Sequence, residues 1–247
     1  MDTDHTLKRS LRGERFFRWR GRDVTRLENL SDIVFALSLT LIVASAVPAS
    51  FAELQALWRE VIAVGMCFAL VLLIWSKHHA FFRRYDLEDG ITLFLNSAVL
   101  FLIMVFAYPL KFLATFLVTF FTRGYASGHE IGAVMTFEQT GMMVTIYAAG
   151  YAAVFGLFAL LYAHALHRAD VLELSDAEKE MTRLEVRQGI ASVAISLCAI
   201  ALALALPARF TPFAGSVYFF IGPVMAWLSS RARKRAEAYE ASGGAVS

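Results

Sequence analysis

Cysteine is nearly absent from this chain. The 247 residues include two, Cys67 and Cys198, each alone in an apolar run. Neither a zinc-ligand spacing nor a redox pair can be built from them, so no metal site and no cofactor are expected. Charge of one sign is also lacking in excess: the net charge of +2 gives no electrostatic case for a nucleic-acid partner. The spacings that carry catalysis are missing too. No HExxH, GxSxG, P-loop or GxGxxG occurs, and no pair of intramembrane aspartates, so no catalytic residue is named and an enzyme is not expected. Period-two alternation is absent, which excludes a barrel. There is no TVGYG-like filter loop, no internal repeat, and no small-residue cleavage site behind the basic first 27 residues, so a cleaved signal peptide is not expected.

Apolar residues are what the chain has in abundance. A hydrophobic share of 58%, an aromatic share of 13% and a mean hydropathy of +0.57 exceed globular norms. A hydrocarbon core about 30 Å thick needs roughly 20 apolar residues per helix. Six stretches qualify: 31–48, 57–76, 91–121, 142–166, 190–206 and 213–230. The third contains Pro109 and Lys111 and is long enough to tilt or break. Lysine and arginine then fix the orientation, because 19 of the 23 fall in the N-terminal arm, the second and fourth loops and the tail. Only Arg59, Lys111, Arg123 and Arg209 remain for the other side. The positive-inside rule places both termini in the cytoplasm. The expected fold is an all-α integral membrane protein with six transmembrane helices. A basic cytoplasmic arm (1–27) precedes a six-helix domain (28–231) and a cytoplasmic tail (232–247).

The joints agree with this division. "AVPASF" and "LPARFTPF" read as short outer turns, and "TRGYASGHEIGAVM" as a glycine-rich outer loop. "DVLELSDAEKEMTRLEVRQ" reads as a cytoplasmic helical extension of the fifth span, opened by a capping box of Ser175 and Glu178.

Polar residues inside such helices need a reason. Ser31 or Asp32, just before an apolar run, reads first as a helix cap; the sharper reading gives Asp32 a cation or a partner on another helix, since ionisable groups at membrane depth are costly. Arg26 and Asp32 are six apart, so they are not helical neighbours. His78 and His79 point about 100° apart and cannot chelate one metal together. One of them can face the first helix and hydrogen-bond Asp32, while the other faces headgroups. Asn96 calls for a partner across helices, and Trp75 reads as an interfacial aromatic. His164 and His167 share a face but lack a third ligand, and Lys111 reads as snorkelling outward. On the first helix, Leu37, Thr40, Leu41, Ala44 and Pro48 share one face, and Ser31, Ser38 and Ser45 a neighbouring one. Several copies meeting on an axis would enclose a narrow lane, although close packing is the commoner use of such hydroxyls.

These residues resemble a known family. "RLENLSDIVFALSLTLIV" is similar to the Arg-x-x-x-Phe-Ser-Asp signature and following apolar helix of the transmembrane protein 175 family, lysosomal and prokaryotic potassium channels. "WSKHHAFFRRYD" and "LFLNSAVLFLIMVFAYPL" resemble that family's second-to-third helix region, with its His-rich end, Leu-Asn pair and aromatic-Pro. The resemblance covers about the first half of the chain. It maps the signature onto Arg26, Leu30, Ser31 and Asp32, with Leu30 where the family has Phe. It implies that this motif is scaffolding packed against Trp75, His78 or His79, and Asn96. It implies a pore lined by the first helix, with an aliphatic constriction at Leu37, Thr40 and Leu41 a turn deeper, and Ala44 where a larger aliphatic residue is usual. It implies a homotetramer in a prokaryotic plasma membrane that passes K⁺ and other monovalent cations, with membrane lipid as its surroundings. The function expected is therefore a potassium-favouring cation channel. The alternative is a secondary transporter or permease, for which Lys111 alone would be a midplane coupling group.

Overall fold

The computed structural model describes residues 16–21, 24–43, 49–125 and 137–243. Among these residues the chain forms six α-helices and one 3₁₀ segment, with no strand: α1 (Arg26–Val43), α2 (Phe51–Tyr85), α3 (Gly90–Thr122), α4 (Phe137–His167), α5 (Asp176–Ala205), the 3₁₀ segment (Ala208–Phe220) and α6 (Ile221–Gly243). Five stretches are long and apolar enough to cross a membrane: Phe51–Tyr85, Gly90–Ala107, Gln139–His167, Asp176–Ala205 and Arg209–Tyr239. The expected first span, α1, carries Arg26, Glu28 and Asp32 within its 18 residues. Large apolar side chains such as Trp58, Phe94 and Phe101 stand exposed on the protomer. A surface of that kind is covered by lipid or by neighbouring subunits, not by water.

Several ends differ from those read in the sequence. The Ser-Asp pair predicts a start of α1 at Ser31, yet the helix opens five residues earlier. Thr25 Oγ1 accepts from the Glu28 N–H at 3.2 Å and Glu28 Oε2 accepts from the Thr25 N–H at 3.0 Å, a reciprocal capping box. Ser31 and Asp32 are thus interior to the helix and cap nothing. Ala44, expected in the pore-lining stripe, lies outside the described residues, as do Ser45 and Pro48. The helix α2 outruns its apolar stretch at both ends: 35 residues rise about 52 Å. The sixth expected span is only half α-helical. Pro207 and Pro212 lack the N–H groups that α-helical bonding needs, and 208–220 winds as 3₁₀ before α6 begins.

Other expectations match. The capping box of Ser175 and Glu178 is present and opens α5, which joins the mixed-charge segment and the fifth apolar stretch in a single helix. Pro109 does not break α3, and the carbonyl of Pro109 accepts from the Tyr147 hydroxyl of α4. Against expectation, Lys111 is held within the bundle: its Nζ lies 2.7 Å from Glu60 Oε2, an ion pair joining α3 to α2. The pair matches two charges that would each be costly alone among apolar helices. Between α4 and α5 the backbones approach so closely that a Cβ on Gly189 would fall 2.6 Å from Ala159 Cβ. The buried face of α5 is built from Gly189, Ser192, Ser196, Ala199 and Ala203, the small side chains that let membrane helices close up.

The arginine-rich end of the bundle is tied together by carboxylates. Glu180 receives Arg187 at 3.0 Å, Arg235 at 3.4 Å and Arg183 at 3.6 Å. Glu185 takes Lys77 at 3.0 Å and Arg84 at 3.4 Å. Asp89 caps α3: its Oδ1 accepts from the Thr92 N–H at 2.9 Å and hydroxyl at 2.7 Å, while its Oδ2 meets His164 Nε2 at 2.6 Å. Burial opposes the Asp89 carboxylate, but the bonds from Thr92 and His164 outweigh it and hold its pKa well below the usual range. A depressed acid stabilises the fold fully above its unfolded pKa of about 3.9, and that contribution drains away as pH falls from there toward the folded value. Melting curves in detergent are therefore expected to show wild type above Asp89→Asn at pH 6, with the gap narrowing below about pH 4. A gap independent of pH would contradict the assignment.

Candidate functional site: the first helix and the seam behind it

Helix α1 has two chemically distinct faces. One is buried and comprises Glu28, Ser31, Phe35, Ser38 and Ile42, positions spaced three and four apart that meet α2 and α3. The Ser31 and Ser38 hydroxyls each donate to the carbonyl four residues back, Leu27 and Val34, at 2.8 Å. The serine stripe is therefore a packing seam. The opposite face carries Leu37 at 50% exposure and Leu41 at 41%, with Thr40 also exposed. Thr40 spends its proton on the Ala36 carbonyl at 2.8 Å, leaving oxygen lone pairs outward. This face bears no charge between Ile33 and Val43.

Behind the seam runs a chain of hydrogen bonds through three helices. Asn96 of α3 is fully buried. Its Nδ2 donates to Ser31 Oγ at 3.1 Å, and its Oδ1 lies 2.6 Å from His78 Nε2 of α2. A carbonyl oxygen has no proton to give, so His78 donates from Nε2. The relay runs His78 to Asn96 to Ser31 to the Leu27 carbonyl, with each buried polar group satisfied by the next. The Phe35 ring meets the His78 ring edge-on at 5.4 Å and closes the seam.

Asp32 has a different partner from the one its neighbours suggest. It accepts from the Trp75 indole N–H at 2.7 Å, so neither histidine holds it. His79 instead stacks on Trp75, with ring centroids 5.4 Å apart and planes 19° from parallel. The two adjacent histidines therefore serve different partners, as their 100° separation requires. Arg26 is exposed, and among the described residues no ion pair joins it to Asp32. Leu30 lies off the buried face and is about half exposed. The structure thus brings together Ser31, Asp32, Trp75, His78, His79 and Asn96, and leaves Leu30, Leu37, Thr40 and Leu41 on the open side. Sequence reasoning missed Phe35 and the Thr25–Glu28 cap. The "TRLE" pattern carried a signal for the cap; nothing marked Phe35 beyond its position four residues after Ser31.

Among the described residues no group of three or more His, Cys, Asp or Glu side chains is placed to hold a metal ion. What the arrangement offers is a rigidly backed helix presenting an uncharged, partly hydroxylated face.

Comparison with known proteins follows the same residues. The family model of the endosomal/lysosomal potassium channel TMEM175 matches residues 26–109, which span α1, α2 and the part of α3 that carries Asn96. A potassium channel of Marivirga tractuosa is 33% identical over 222 residues, covering 85% of this chain and 87% of that one. Among solved structures, a variant of the potassium channel MtTMEM175 in complex with a nanobody fusion superposes with a TM-score of 0.78 at 31% identity, over 88% of this chain and 97% of that chain. A lysosomal potassium-selective channel TMEM175 homolog from Chamaesiphon minutus shares the fold, with a TM-score of 0.52 at 22% identity over 84% of this chain and 96% of that one. With likeness of this extent running well beyond the matched motif, the chain belongs to the TMEM175 potassium-channel family.

Proposed function

We propose that this chain forms a potassium-favouring cation channel in which four copies gather their α1 helices around a common axis. Leu37, Thr40 and Leu41 face the passage, with Leu37 as the constriction. The observation that carries this reading is the division of α1: a sealed polar seam toward α2 and α3, and an uncharged leucine and threonine face left open on the protomer. An aliphatic ring of this kind controls passage by excluding water. The named relatives are potassium channels, which supports K⁺ as the permeant ion. In this reading Asp32, Trp75, His78, His79 and Asn96 are scaffold. All six helices cross the membrane, and the arginine-rich end with both termini lies in the cytoplasm, in the plasma membrane of a prokaryote.

A secondary transporter needs an ionisable group available to bind and release its cargo. The candidate for that role, Lys111, is engaged by Glu60, so the carrier reading has no supporting group. Purified protein in a planar bilayer under opposed K⁺ and Na⁺ gradients is expected to give discrete current steps with a reversal potential displaced toward that of K⁺. Slow, saturable flux without current steps would instead indicate a carrier.

A further inference from the structure

Residues 16–21 do not trail away from the bundle. Phe17 is buried, edge-on to Tyr85 at 6.0 Å, with the Arg84 guanidinium 4.3 Å from its ring centre. The backbone N–H groups of Arg20 and Gly21 donate to the Arg83 carbonyl at 3.1 and 3.3 Å, and Arg83 Nη1 returns a bond to the Gly21 carbonyl at 2.9 Å. Gly21 lies so close to α2 that a Cβ there would stand 3.0 Å from the Phe82 carbonyl oxygen.

The centre of this contact is a buried clasp. Arg20 grips Glu178 with both arms of its guanidinium, Nη1 to Oε1 at 2.9 Å and Nη2 to Oε2 at 3.1 Å. Its Nε donates to the Leu172 carbonyl at 2.9 Å and Nη1 also reaches the Arg84 carbonyl at 3.2 Å. The Arg18 N–H adds a further bond to Glu178 Oε1 at 2.9 Å. The two side chains are 13% and 3% exposed. A forked, charge-assisted pair sealed to this degree fixes geometry, because opening it strands a charge out of water.

The clasp ties the segment before α1 to the start of α5. Glu178 sits in the first turn of α5, while Gly21 precedes the start of α1 by five residues. Five residue steps extend at most about 18 Å, so the clasp keeps the start of α1 within that reach of Gly21. We propose that Arg20 and Glu178 are positioning residues for the pore helix: the clasp holds the start of α1 in its conducting placement and couples it to α5. This inference rests on α1 lining the passage, as argued above.

Single-channel recording separates the two ideas, because it reads open fraction and unitary conductance independently. Arg20→Lys keeps the charge and loses the fork. It is expected to lower the open fraction about fivefold or more, the low end of coupling between distant sites, with unitary conductance unchanged. Gly21→Ala, which crowds the Phe82 carbonyl without burying a charge, moves the open fraction in the same direction. Arg18→Ala, whose side chain is largely exposed, leaves it at the wild-type level. All recordings are made well below the melting temperature of each variant, on protein that elutes as wild type does. An open fraction unaltered by Arg20→Lys overturns the proposal. If that variant does not fold, an unaltered Gly21→Ala channel overturns it. Failure of the pore reading shows elsewhere, as a unitary conductance insensitive to Leu37→Ala.

Discussion

Leu37→Ala is expected to raise cation flux through reconstituted protein on the order of tenfold, as a barrier lowered by about 1.4 kcal/mol does, and to weaken discrimination between K⁺ and Na⁺. Half the Leu37 surface is open on the protomer, so truncating it removes little internal packing and the fold should survive. In the tetramer proposed above, four truncated side chains would widen a greasy ring and let water bridge it, which is the step that admits an ion. Phe35→Ala, two residues away on the sealed face, serves as the contrast. That change opens a cavity beside His78, costs about 3–5 kcal/mol of stability, and leaves the ring itself in place. Liposome flux assays on both variants, paired with melting curves, should thus show flux moving with Leu37 and stability moving with Phe35. Flux unchanged by Leu37→Ala removes that side chain from the passage.

Asn96→Leu is expected to be among the most destabilising single changes in the seam. The replacement is close in volume, so the loss is one of bonding. His78 Nε2–H is left without an acceptor in a site closed to water, and an orphaned buried donor costs about 1–3 kcal/mol. Ser31 meanwhile loses the bond that joins α1 to α3. The diagnostic result is the cycle with His78→Phe. Once the donor is gone as well, nothing is stranded, so the double variant should lose less stability than the two singles together. Additive losses would mean that the relay is not continuous.

Much of this was legible in the residues, and what was not has a consistent cause. The helical fold and the apolar stretches within it follow from local composition. Positions such as Ser31, Asp32, Trp75, His78 and Asn96 announce themselves because a polar side chain in an apolar helix has few reasons to be there. Partnership is another matter. Asp32 takes Trp75 and not a histidine, because which rotation of α2 faces α1 depends on the whole buried face of that helix, from Ala63 through Cys67 and Val71 to His78. Glu60 and Lys111, like Arg20 and Glu178, lie far apart in the chain and meet only once the bundle forms. The start of α1 was obscured differently. Two cap-like patterns occur in succession, "TRLE" and then "SD", and the later one stands against the apolar run; the earlier one prevails because its glutamate closes the box. The 3₁₀ stretch before α6 was unreadable from hydropathy, which registers how oily a segment is and not how it winds.

Three charges crowd the first seven residues of α1, and charge at the edge of a bilayer has to be met by partners or by headgroups. The Trp75 indole of α2 meets Asp32 and the Asn96 amide of α3 meets Ser31. A fragment carrying α1 without α2 and α3 is therefore expected to insert into a bilayer less firmly than one that runs through all three.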